Sequence, residues 1–283
     1  MYKLIISDGE KSIDLYRNKN IIVASTEGFG IEATVNTAEY GSLDGAMYIN
    51  SRLPMRVISI TFRIKKTINL SVIRKELYEL FSPKSKLDIN IVTNTLNVRT
   101  YGYCEKIDIP PNNIPLVGTL SIVCPDPYFY SESKLVNIYG TTASFFFLQS
   151  GISLNRIVYG NTGKVNIATV NYDGDDKTGV VFKISAFDNV SGIKLENLTT
   201  GEYMSFSVNL QPLDVMTIST VDGDKYIKLC RNGEENNYLK YLEKGSTFFK
   251  LNHGENKIKF TATGATPTSV NVLMTYSTKV GGV

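Results

Sequence analysis

The 283-residue sequence predicts a mainly β protein built in two halves. Three observations carry this. Short runs alternate apolar and polar residues with the period of a half-buried strand over most of the chain. Only one stretch switches to helical spacing. Between the halves stands Cys124-Pro125-Asp126-Pro127-Tyr128-Phe129-Tyr130, where two prolines bracket an aspartate and three aromatics follow. Proline cannot donate to a sheet ladder and restrains the residue before it, so this segment ends a strand and fixes its exit. The aromatics need a surface to pack on. Pro125, Pro127, Tyr128 and Phe129 are therefore read as a clamp between a domain over residues 1–130 and one over 131–283, with Tyr128 and Phe129 buried between them. The competing reading is an ordinary loop inside one large β domain, since such domains reach ~200–250 residues.

In the first half, Arg56-Val57-Ile58-Ser59-Ile60-Thr61-Phe62-Arg63-Ile64 sets Ile58, Ile60, Phe62 and Ile64 on one strand face and Ser59, Thr61 and Arg63 on the other. Leu87 to Ile91 repeats the alternation, Asn94 turns the chain toward Val98–Tyr101, and Val117–Val123 is the last strand before the joint. The exception runs from Ser71 to Phe81. There Ile73, Leu77, Leu80 and Phe81 fall at i, i+4, i+7 and i+8, with Ser71 as N-cap and Ser82-Pro83 as the stop. One helix of three turns is no domain, so it lies on the sheet or on a neighbouring subunit. Glu27-Gly28-Phe29-Gly30-Ile31 and Tyr40-Gly41-Ser42-Leu43-Asp44-Gly45 lack a phosphate-loop pattern and a following helix, and read as turns at hairpin ends.

The second half is all β with frequent turns. Alternation recurs at Val180–Ala186, Ile193–Leu198, Met204–Leu210 and Met216–Ile218, then at Phe248–Leu251, Lys257–Phe260 and Val270–Tyr276. Short strands at this spacing predict a β-sandwich. Thr141–Ser144 and Asn171–Asp176 are expected as exposed loops, and Val280–Val283 as a loose tail.

Composition narrows the function classes. Thirty basic and 27 acidic residues leave a net charge of +3, too balanced to argue for a nucleic-acid or membrane surface; Lys65-Lys66 is the densest basic spot. Cys104, Cys124 and Cys230 are odd in number and lack metal-site spacing, which predicts free thiols in a reducing compartment. The first residues are too short an apolar run for a signal peptide, and no stretch nears ~18–20 apolar residues, so the chain is expected to be made in the cytoplasm without inserting in a membrane. His253, the sole histidine, sits in a turn without a nucleophile motif beside it. Calcium in the loops Asp173/Asp175/Asp176 or Asp222/Asp224 has only generic support, since neither is an EF-hand. No carboxylate pair stands out for glycoside hydrolysis. The reading is no enzyme, no cofactor and no metal. Tyr226, Tyr238 and Tyr241 are noted as glycan-contact candidates against the plainer reading of cross-strand packing.

Taken together, these segments resemble the distal tail protein (Dit) family of long, non-contractile phage tails. The resemblance rests on Glu27–Ile31, Arg56–Phe62, Tyr78-Glu79-Leu80-Phe81-Ser82-Pro83 into Leu87, and above all the strand ending in Cys124–Tyr130. Leu195-Glu196-Asn197-Leu198-Thr199-Thr200-Gly201-Glu202 and Phe249–Asn256 match a hairpin and a turn of the same family. The resemblance implies a split-barrel-like, ring-forming first domain whose helix 71–81 and neighbouring hairpin clasp the next subunit. It implies a galectin-like second domain facing outward. Arg63, Lys65, Arg74, Lys75 and Tyr78 are the residues it places at the ring interface. A homohexamer would link the tail tube to the tail-tip hub or tail-associated protein, hold receptor-binding protein in some phages, and pass DNA through its channel. The virion tail tip is the implied location, and a carbohydrate-binding β-sandwich protein contacting the host surface is the alternative. The second half lacks the large insertion of longer relatives, which leaves a receptor-binding arm in doubt.

Overall fold

A computed structural model describes residues 2–65, 70–111, 116–140 and 167–283. The expected loop Thr141–Ser144 lies outside them. The chain divides into two compact units, Met1–Glu132 with Lys279–Val283, and Ser133–Thr278.

The first unit contains β1 (Lys3–Ser7), β2 (Ser12–Asp14), β3 (Ile21–Glu27), β4 (Thr34–Glu39), β5 (Ala46–Arg52), β6 (Arg56–Ile64), α1 (Leu70–Leu80), β7 (Lys86–Val92), β8 (Asn97–Asp108), β9 (Val117–Cys124) and β10 (Phe129–Ser131). Its main sheet runs in the order β2-β1-β7-β8-β9-β6-β3, with β10 against β8. Among the described residues this order stays open, with β2 and β3 at its ends. The core follows the period-2 pattern: Ile58, Ile60, Phe62 and Ile64 of β6 are buried with Leu4, Ile6, Leu87, Ile89, Leu120 and Ile122. Helix α1 closes this core with Ile73, Leu77 and Leu80, and Phe81 follows fully buried. The helix begins one residue before the expected start, so Ser71 is its second residue rather than its cap.

The second unit contains β11 (Lys134–Tyr139), β12 (Ile167–Tyr172), β13 (Val181–Ala186), β14 (Val190–Asn197), β15 (Glu202–Leu210), β16 (Val215–Val221), β17 (Asp224–Arg231), β18 (Glu234–Asn237), β19 (Gly254–Thr263) and β20 (Val270–Tyr276). A six-stranded sheet, β11-β20-β13-β16-β17-β18, and a four-stranded one, β12-β19-β14-β15, contribute to one core as a β-sandwich. Phe182, Ile184, Phe206, Met216, Phe249 and Phe260 fill it. Phe248–Leu251 is not the expected strand. Phe249 is buried at 1% exposure, but backbone pairing is limited to Leu251 with Thr178. A short 3-10 turn over Leu239–Tyr241 adds helical character that the alternation did not show.

The quoted motifs of this unit explain themselves physically. Asn197 and Asn256 are fully buried, and Asn197 Nδ2 points at Asn256 Oδ1 across 3.4 Å. Asn256 Nδ2 donates to the carbonyls of Asn252 and Gly254 at 2.7 and 3.0 Å, while its Oδ1 accepts from the Asn252 N–H. Asn197 Oδ1 accepts from Thr199 N–H, and Thr199 Oγ1 accepts from Lys257 N–H. Two turns that would otherwise bury unpaired backbone groups thus satisfy each other.

One boundary differs from expectation. The first unit extends to Glu132 and takes back residues 279–283. A last strand, β21 (Lys279–Val280), pairs with β10 through Phe129↔Val280 and Tyr130↔Lys279. Val283 N–H donates to Phe29 O at 3.1 Å, and Gly281 is buried. The segment expected as a loose tail is a built part of the first unit. Two strand residues before a Gly-Gly pair carry no readable alternation.

Candidate assembly surface

The hairpin β4–β5 is the exception to the packing rule of the first unit. It forms a two-stranded sheet of its own, with a bulge between Asn36 and Thr37. Every residue of β5 is exposed, and so is all of β4 except half-buried Ala38. Val35, Met47, Tyr48 and Ile49 are each more than half exposed, and Leu43 at the turn is 72% exposed. Gly45 takes φ 98° there, a left-handed conformation that glycine adopts without strain. No core residue of the unit comes from either strand.

Of the five residues predicted at a ring interface, Arg63 on β6, Lys65 and Lys75 are exposed. Arg74 and Tyr78 have duties inside the unit. Arg74 Nη2 donates to Ile109 O at 2.8 Å, and Tyr78 Oη accepts from Ile109 N–H at 3.2 Å. These bonds pin α1 to the segment after β8; Tyr78 still leaves 39% of its surface exposed. Glu79 pairs with Lys11 at 2.7 Å and lies 3.8 Å from Lys75 one turn back. The Lys11 hydrogen bond holds the Glu79 carboxyl below its usual range.

The predicted clamp resolves into a node within the first unit, and the residue at its centre is Arg56. Its side chain sits at the inward phase of β6, shared with Ile58 and Ile60, and is 6% exposed. Nε and Nη2 donate to Pro127 O at 2.9 and 2.6 Å. Nη1 donates to Gly28 O and Gly30 O, both at 2.6 Å, and Nη2 also donates to Gly281 O. All five guanidinium N–H groups therefore meet backbone carbonyls. Phe129 lies under the guanidinium at 4.3 Å and faces Phe29 at 6.3 Å between ring centres. Burial pushes the Arg56 pKa down, and the carbonyls and the ring stand in for lost water.

Phe129 is fully buried and belongs to the first unit's core. Tyr128 is half-buried beneath Lys279 Nζ at 4.9 Å, Pro127 serves through its carbonyl, and Pro125 is exposed. Asp126 accepts from Tyr128 N–H and Tyr130 Oη, which shapes the turn. The sequence reading missed Arg56. The signal was present, since a charged residue stood in phase with four inward apolar ones.

The three tyrosines of the second unit do not form one platform. Tyr238 and Tyr241 stack on each other at 4.7 Å, and Lys240 covers Tyr241 at 5.1 Å. Tyr226 lies under Lys228 Nζ at 5.1 Å. His253 Nδ1 sits 3.1 Å from Gly174 O, in a turn as expected. Among the described residues, no cluster of three His, Cys, Asp or Glu is placed to hold a metal ion. No helix among them is long and apolar enough to cross a membrane.

Two family profiles match this chain. Residues 8–124 match the phage tail protein RIFT-related domain, and residues 173–279 match the siphovirus-type tail component, C-terminal domain. Among solved structures, the chain resembles the Dit protein of phage SPP1, described as a paradigm of the hub adsorption apparatus in phages infecting Gram-positive bacteria. The TM-score is 0.69 with 13% identity over 99% of each chain. It also resembles a chain of the phage p2 baseplate in its activated conformation. That match covers 100% of both chains, with TM-score 0.55 and 10% identity for the strontium form and 0.53 and 9% for the calcium form. A search of curated protein sequences gave no match.

Proposed function

Because the chain belongs to the siphovirus-type distal tail protein family and is a structural hub protein of the phage tail tip, we propose that six copies close into a ring. The ring joins the tail tube to the distal hub or tail-associated protein and to the adsorption apparatus, and DNA passes through its channel. The observation that carries this reading is the unsupported β4–β5 hairpin. An isolated two-stranded hairpin is marginal in water, yet this one presents Val35, Met47, Tyr48 and Ile49 to solvent. A neighbouring copy supplies the missing surface through a head-to-tail contact, which closes when the rotation per subunit is right. Exposed Arg63, Lys65 and Lys75 and the outer edge of Tyr78 lie on the same unit and join this contact. The reading assigns no catalytic residue, in keeping with a structural family.

Native mass spectrometry tests the ring. The expected species has six times the 31.4 kDa protomer mass, alone or with tail-tube protein present. Met47→Asp with Ile49→Asp leaves a folded monomer, because neither side chain supports the protomer's own core. A wild-type monomer at every concentration with tube protein present overturns the ring. Sugar contact through Tyr226, Tyr238 and Tyr241 has weaker support, since lysines and ring stacking already cover their faces. Saturable glycan binding lost on Tyr→Ala changes would restore it. Attachment of a receptor-binding protein is a role of the same hub and is read by co-purification in assembled tails.

A further inference from the structure

We infer that the outward face of β6, β9 and β8 is the surface that receives the β4–β5 hairpin of the next copy, with Tyr101 and Tyr103 at its centre. The inference rests on the ring reading and names the other half of its contact. A head-to-tail interface joins two different patches, so a hairpin that docks on a neighbour needs an acceptor elsewhere on the same chain.

A break in the strand pattern marks that acceptor. A sheet with one face on a core turns polar residues to water on the other. The outward positions of β6 obey this at Ser59, Thr61 and Arg63, but the outward position before them is Val57, 40% exposed. Register carries the break across three strands. Val57 stands opposite Val123 of β9, and Val123 stands opposite Tyr103 of β8. Tyr101, two residues back on the same face, meets Tyr103 edge to face at 6.4 Å between ring centres. The tyrosines are 40% and 41% exposed, and none of these four side chains belongs to the core of the unit. With strands ~4.8 Å apart, the row from Val57 to Tyr103 runs about 10 Å across the sheet, enough to seat a two-stranded ribbon.

The hairpin fits this seat in form, chemistry and charge. It is itself a small sheet, and sheet on sheet is a regular mode of packing. Val35 pairs with Ser51 and Thr37 with Tyr48, and Tyr48 Oη lies 2.9 Å from Ser51 Oγ. Val35 and Tyr48 therefore share one hairpin face, each more than half exposed. Tyr48 brings an aromatic ring to a seat made of two others. Glu39 and Asp44 are exposed at the turn end of the hairpin, while exposed Lys86 and Arg99 flank the tyrosines. Lys86 stands opposite Tyr103 with its Nζ 4.9 Å from the centre of the Tyr101 ring, and Asp88, opposite Tyr101, is the acid between the two cations.

Photo-crosslinking on the assembled protein tests what covers this face. Tyr103→benzoylphenylalanine, in rings mixed from isotope-labelled and unlabelled chains, should cross-link to residues 34–52 of a second copy. Cross-links from position 103 that reach only tail-tube protein, or only other parts of a second copy, overturn the inference. A second measurement reads assembly. Tyr101→Ser with Tyr103→Ser should stay folded by circular dichroism, since neither ring lies in the core. It should lower the assembled fraction in native mass spectrometry, at fixed concentration, by about tenfold or more. Assembly of this variant at the wild-type level overturns the inference, and if the variant fails to fold the cross-link decides. The two readings fail apart. A wild-type chain that is monomeric under every condition removes the ring and the acceptor with it. A wild-type ring with position 103 outside the contact removes the acceptor alone.

Discussion

At the scale of single residues, a few side chains and one glycine hold positions that allow little substitution. Gly28 has φ 85°, and its Cα lies against the backbone of Val57. Gly28→Ala combines a left-handed strain with a backbone clash, so a loss of more than about 2 kcal/mol is expected in urea unfolding of the first unit. In the second unit, Asp214 is buried and held by Arg231 through Nε and Nη2 and by Gln211 N–H. Burial raises its pKa, but the Arg231 hydrogen bond, the Gln211 N–H and the Arg231 charge outweigh it, and the net shift is downward. A carboxyl with a depressed folded pKa adds stability above its unfolded pKa of about 3.9. That contribution disappears as pH falls through the still lower folded value. Asp214→Asn should therefore cost about 1–3 kcal/mol at neutral pH and flatten this part of the acid limb in pH-dependent unfolding.

At the scale of elements, legibility followed burial. Strand β6 and helix α1 were readable because each sets one face on a core and the other in water. Residues Ile58 to Ile64 and Ile73 to Leu80 show their periods directly. The β4–β5 hairpin was not readable, since a strand exposed on both faces needs no alternation, and only its glycine-bearing turn gave a signal. Phe248–Leu251 misled for the opposite reason: Phe249 is buried from an irregular segment, so apolarity was present without a ladder. Arg56 was legible as a phase violation, yet its acceptors come from loops whose approach no local pattern encodes. The helix offers a paired test. Leu77, 3% exposed, should cost about 2–5 kcal/mol as Leu77→Ala. Tyr78→Phe should cost only about 1 kcal/mol, the net value of its bond to Ile109 N–H. Equal losses from the two would show that α1 is held by its polar anchor rather than by its buried stripe.

At the scale of the whole molecule, the described residues form two separate hydrophobic cores, one per unit. Calorimetry should accordingly resolve two transitions, with Leu77→Ala lowering one and leaving the other in place. A single transition that shifts as a whole would show the units unfolding as one cooperative body. The return of β21 to β10 also bears on synthesis. A ribosome makes the first unit early, but residues 279–283 leave the exit tunnel only after the entire second unit has been translated. Until then β10 has one of its two partners and Arg56 lacks an acceptor, so the first unit cannot finish folding during translation in the usual N-terminal-first order. A nascent chain halted within the second unit would carry an unfinished first unit.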